Sequence, residues 1–240
     1  MIKTNIGELV AHDYRVAHVF KNHKIDFYCK GKRNILEVAE QNNLNPALLI
    51  KEVESVVSPE KTETTDFKSW HLDLLADYIE KKHHRYAEEK IPVLKEHLEK
   101  LCQVHGQDNP ELFKIKEHFN TSSGELAMHM KKEELLVFPA VRKMFRAKHS
   151  GTPMTPLKFE TIQNPIKTMM RDHDDEGERF REIDRLSNNY TPPEGAGNSY
   201  HLAFSLLKEF EEDLHMHIHL ENNILFPKSE ELEKELAGTH

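Results

Sequence analysis

Cysteine is almost missing from this chain of 240 residues, with only Cys29 and Cys102 present. Two thiols are too few for a disulfide framework or for a four-cysteine iron–sulfur or zinc site. Glycine is sparse, at 9 residues, and the β-branched alternation that marks strands is thin. Glu, Lys and Leu abound instead, which favours long helices and predicts an all-α fold. No apolar run approaches the ~20 residues that span a bilayer, and the first eight residues do not read as a signal peptide. A soluble, cytoplasmic protein with no membrane partner is expected. A formal net charge of −8 offers no basic footprint for phosphate neutralisation, so nucleic acid is not an expected partner. What the chain has in excess is histidine, at 17 residues.

The chain divides into residues 1–57, a small cysteine-bearing helical domain; 58–65, a polar linker; and 66–240, a larger helical domain. Within the last, four helical stretches are predicted over about 69–105, 110–148, 164–187 and 197–236. Asn109 with Pro110, and Asn164 with Pro165, read as helix starts. Pro92, Pro139 and Pro227 fall inside the stretches, where each removes a backbone hydrogen bond and should kink its helix.

The chemistry lies in an internal repeat. His129 and Glu133 are followed by Phe138-Pro139, and His217 and Glu221 by Phe226-Pro227, in the same register. Residues four apart share a helical face, so each His/Glu pair can offer a nitrogen and a carboxylate to one point. The neighbours on that face are apolar: Leu126, Met130 and Val137 in the first copy, Phe210 and Leu225 in the second. A bare carboxylate there would cost several kcal/mol to bury, and a bound cation would resolve the conflict. His84 and His173 lie on the apolar stripes of the other two helices, 45 and 44 residues before His129 and His217. Two matched hairpins then close on one centre of His84, His129, Glu133, His173, His217 and Glu221. With both carboxylates bridging, each of two metals receives two imidazoles and two carboxylate oxygens, and a solvent oxygen can complete a third, oxo-type bridge. Imidazole with carboxylate suits iron, manganese or zinc. His83, His215, His219 and the remaining histidines follow no such pattern and read as solvated or incidental. His105 continues the His84 stripe but stands 21 residues further along, on the order of 30 Å at the helical rise, and is expected to end its helix rather than ligate. Glu125 and Asp172 are candidates to support the ligands from behind.

The bundle resembles the hemerythrin-like domains. The whole chain is similar to the Repair of Iron Centers family, through Ile6-Gly7-Glu8-Leu9, Asp26-Phe27-Tyr28-Cys29-Lys30-Gly31-Lys32, His84-Arg85, His129 to Pro139, His173 to Gly177 and His217 to Pro227. It departs from the family where Tyr28 and Lys30 replace one cysteine and one glycine, leaving Cys29 alone as a candidate redox thiol. The resemblance implies an up-down four-helix bundle behind a small helical domain, holding two non-haem irons. It implies a stress-response protein that supplies iron to iron–sulfur clusters damaged by nitric oxide or oxidants. Damaged iron–sulfur proteins, and oxygen or nitric oxide, would be its partners, with dimerisation through the small domain. The oxygen-carrying hemerythrins hold their irons with five histidines where this set has four, which should ease iron release. The competing readings are an oxygen or nitric oxide binder or sensor, and an enzyme that reduces nitric oxide at the di-iron pair.

Overall fold

The computed structural model describes residues 3–57, 65–151 and 156–238. Most of the expected linker, residues 58–64, lies outside them, as do residues 152–155 and His240. Every regular element among the described residues is helical, as composition predicts. Four short helices come first: α1 (Ile6–His12), α2 (Arg15–Asn22), α3 (Ile35–Gln41) and α4 (Pro46–Val57). Asn34 opens α3 with a capping box, its side chain accepting from the Glu37 amide while the Glu37 carboxylate accepts from the Asn34 amide.

Four rods follow. The first is α5 (Leu72–Tyr78), a π-turn at Ile79–His84 and α6 (Arg85–His105). The second is α7 (Glu111–Lys132), a π-turn at Glu133–Val137 and α8 (Phe138–Ser150). The third is the uninterrupted α9 (Gln163–Leu186), and the fourth is α10 (Asn198–Leu220), a π-turn at Glu221–Leu225 and α11 (Phe226–Gly238). The helix α6 packs against α7 and α10, and α7 against α9.

Three sequence expectations shift here. Asn164 lies inside α9, whose N-cap is Ile162. Asn109 does not cap α7; its side-chain amide donates to the His105 carbonyl and so closes α6. Pro139 and Pro227 are each the second residue after a π-turn, where the widened turn accommodates a residue with no amide hydrogen, whereas Pro92 lies within continuous α6.

Buried residues form two apolar layers. One contains Phe20, Phe27, Leu94, Phe119, Phe180 and Phe210, joining the first four helices to one end of the rods. The other contains Leu75, Phe138, Ile166, Leu225 and Phe226 at the opposite end. Between them lies a layer of buried histidine and glutamate. Each large apolar side chain contributes about 1.5–3 kcal/mol, which offsets the several kcal/mol that each buried charge costs.

Candidate metal centre

The three π-turns coincide with the polar layer. His84 ends the first, Glu133 begins the second and Glu221 begins the third. Five residues of regular α-helix would leave Phe138 about 140° round the axis from Glu133. The wider turn brings both inside, and Phe138 stacks on the His84 ring at 5.4 Å while Phe226 stacks on His173 at 6.0 Å. The repeated phenylalanine is therefore a cover for the histidine of a neighbouring rod.

All six residues singled out from the sequence converge, in two groups. His84, Glu133, His217 and Glu221 form one; His129, Glu133, His173 and Glu221 form the other, with ligand atoms within 4.8 Å of one another in each. Both glutamates belong to both groups. Glu133 places Oε1 3.0 Å from His129 Nε2 and Oε2 3.3 Å from His84 Nε2. Glu221 places Oε2 3.1 Å from His173 Nε2 and 3.3 Å from His217 Nε2.

The far nitrogens fix which atoms carry protons. His84 Nδ1 is 3.1 Å from a Glu134 oxygen, His129 Nδ1 3.4 Å from Asp172 Oδ2, and His173 Nδ1 2.9 Å from Asn222 Oδ1. Acceptors there hold the proton on Nδ1 and leave Nε2 a bare lone pair. Yet His129 Nε2 and His173 Nε2 face each other at 3.0 Å. The His84 and His217 Nε2 atoms and all four oxygens of Glu133 and Glu221 are buried without a hydrogen-bond partner. Lone pairs and carboxylates pointed at a shared volume repel unless a cation lies between them, so the donor set fits a metal. The carboxylates draw positive charge into this volume, as a ring proton where no cation competes for it. Burial opposes charge on His129, but Glu133 and Asp172 outweigh it and raise its pKa to about 10. Burial and Glu221 would raise the Glu133 carboxyl, but His129 and His84 pull it below its ordinary value.

Of the candidate supporting groups, Asp172 meets His129, whereas Glu125 pairs with Arg179 at 2.7 Å and touches no member of the set. Glu134 and Asn222 were missed. Each directly follows a glutamate of the repeat, which was the available signal. Three histidines read as solvated or incidental are buried. His83 stacks on His217 at 5.9 Å with Asp213 3.0 Å from its Nδ1. His215 stacks on Tyr28 at 3.8 Å, and His219 meets the edge of Phe27. The first four helices cover the outer face of α10, which periodicity alone assigns to solvent. His105 ends α6 against Tyr200 and belongs to neither group, so His105→Ala should retain the wild-type metal content on elemental analysis. A loss matching that of His129→Ala would show the register of this hairpin to be wrong.

Cys29 is half-buried, its Sγ donating to the His173 carbonyl at 3.3 Å. Burial, with Asp26 and Asp174 nearby, pushes its thiol well above the ordinary range, which disfavours a thiolate. A cavity of about 280 Å³ reaches His129, His173 and His217, and its lining includes Glu125, Asp172, Asp175 and Glu176.

Comparison with known proteins bears on this geometry. The hemerythrin HHE cation binding domain matches residues 75–229, and a domain of unknown function matches residues 2–57. The iron-sulfur cluster repair protein YtfE of Yersinia pestis (strain Pestoides F) is 32% identical over 228 residues, covering 94% of this chain and 96% of its own. That of Yersinia pseudotuberculosis serotype O:1b is 32% identical over 229 residues with the same coverage. No described helix is long and apolar enough to cross a membrane.

Proposed function

This chain belongs to the hemerythrin HHE family and, along nearly its full length, to the iron-sulfur cluster repair proteins, and from that premise we propose that it repairs damaged iron–sulfur clusters by supplying iron. The observation that carries the reading is the sharing of Glu133 and Glu221 between two histidine pairs, which supports two metal positions rather than one. His84 and His217 would hold one ion, His129 and His173 the other, with both glutamates bridging. Bound there, iron would supply redox chemistry and the cargo itself.

The protein's own residues do the rest. Glu134, Asp172 and Asn222 hold the protons of His84, His129 and His173 on Nδ1. Phe138 and Phe226 each cover one face of the His84 and His173 rings, respectively. The acid-lined cavity gives a cation an electrostatically favourable way to the His129–His173 pair, while Lys132 and Arg171 at the same opening temper its charge.

The test is transfer. The reduced, iron-loaded protein is mixed with an apo iron–sulfur protein, and cluster return is followed by absorption and by client activity. Restored clusters with loss of iron from the donor support supply. Failure of transfer alongside reversible oxygen binding would favour a carrier, and turnover of nitric oxide without iron loss would favour a reductase. In the same assay Cys29→Ser is expected to keep its iron and most of its repair rate, because a hydroxyl can donate the same bond to the His173 carbonyl. Lost repair with iron retained would instead restore Cys29 as a redox thiol.

A further inference from the structure

Asn222 holds, in the second copy of the repeat, the place that Glu134 holds in the first: each follows the shared glutamate and meets Nδ1 of a histidine on a neighbouring rod. The difference is chemical. A carboxylate can only accept, whereas an amide presents an oxygen on one side and a donor on the other. If the Asn222 amide turned over, its nitrogen would face His173 Nδ1, the ring proton would move to Nε2, and Nε2 could no longer bind a metal.

What prevents the turn comes from outside the bundle. The Asn222 Nδ2 donates to the Tyr28 carbonyl at 3.3 Å, which leaves Oδ1 as the atom facing His173. Asn223 reinforces the contact, its Nδ2 donating to the carbonyls of Tyr28 at 3.1 Å and Phe27 at 3.3 Å. The approach is so close that a Cβ on Gly7 or on Gly31 would lie 2.3 Å from Asn223 Oδ1. Phe226 stacks nearly parallel to the His173 ring and fixes its plane, but not its rotation within that plane. The Nδ1 bond supplies that last constraint.

We propose that Asn222 is a positioning residue through which loop 26–31 of the amino-terminal region selects the tautomer of His173. Docking of that region thereby governs retention of the ion at His129, Glu133, His173 and Glu221. The proposal rests on the metal-binding reading of the centre. Displacing the loop frees the amide, and one ion of the pair loosens while the ion at His84 and His217 stays.

The experiment uses the full chain loaded anaerobically with ferrous iron, as wild type and as Asn222→Ala, Asn222→Asp, Gly31→Ala and, for reference, His173→Ala. Iron per chain, the time course of extraction by a ferrous chelator and the absorption of the oxidised centre are recorded. Changes behind a metal ligand cost about 10–100-fold in affinity, so one of the two irons should leave Asn222→Ala at least about tenfold faster. Gly31→Ala, which disturbs the loop without touching a ligand, should do the same. Asn222→Asp keeps an acceptor on His173 Nδ1 and should restore wild-type extraction and absorption, an outcome that a general folding defect would not give. Unchanged extraction in Asn222→Ala, or no recovery in Asn222→Asp, overturns the positioning role. Wild-type behaviour of Gly31→Ala overturns the coupling to the loop. Absence of iron from the wild type would overturn the metal reading itself, and this proposal with it.

Discussion

Glu133→Ala is expected to lower the iron content per chain by more than half. Its Oε1 is 3.0 Å from His129 Nε2, and its Oε2 is 3.3 Å from His84 Nε2 and 3.8 Å from His217 Nε2. Alanine therefore removes a donor and a negative charge from both positions at once. It also leaves Glu221 as the one carboxylate shared by both groups to balance cationic charge in a buried layer. His129→Ala removes a donor from one position only and should keep more iron than Glu133→Ala. Glu221→Ala should match Glu133→Ala, because Glu221 too belongs to both groups. Elemental analysis of the purified variants measures this. Two irons in both glutamate variants would exclude bridging, and equal losses in Glu133→Ala and His129→Ala would leave the shared role unsupported.

Glu211→Gln is expected to stabilise the protein above neutral pH and to change little near pH 5. Glu211 lies on α10 in a cavity of about 500 Å³ between the first helices and the rods, beside Lys21, Asp184, Tyr190 and His215. Burial, reinforced by Asp184, raises its carboxyl from an ordinary 4.5 to about 7. An acid whose pKa is higher folded than unfolded holds its proton more tightly in the folded state. Its contribution is fully present below about 4.5, declines as pH rises, and is gone once pH passes about 7. The wild type thus carries a penalty of at most roughly 3 kcal/mol at pH 8, trimmed by the partial exposure of the side chain. Glutamine has no proton to lose and escapes it. Urea midpoints of both proteins at pH 5 and pH 8 decide the matter: a gap at pH 8 that closes at pH 5 is expected, and parallel midpoints would place the Glu211 carboxyl in ordinary solvent.

Much of the centre was legible because its signals are local. A histidine and a glutamate four residues apart face the same way on a helix whatever surrounds them, and a second copy in register is hard to produce by chance. The repeat did not reveal the extra residue in each turn. Phe138 and Phe226 appeared merely as markers, and only the π-turns show that they are carried inward to cover His84 and His173. His215 and His219 were misjudged for another reason. Periodicity gives the direction of a side chain about its own helix and cannot tell whether a second element lies over that face.

The sequence by itself determined the helical class, the four rods and the convergence of six ligand-type side chains, since composition and a 3.6-residue period act within a few turns of one helix. Tertiary structure decided which atoms of those side chains face inward, what holds their protons and how the amino-terminal region reaches them. His84 to Glu134, His173 to Asn222 and Asn222 to Tyr28 are contacts between residues 50, 49 and 194 positions apart. No local propensity encodes such pairs. They form because hydrocarbon layers on either side of the polar layer hold separate helices at fixed distance and rotation, and buried donors and acceptors must then be satisfied by whatever that packing brings within reach.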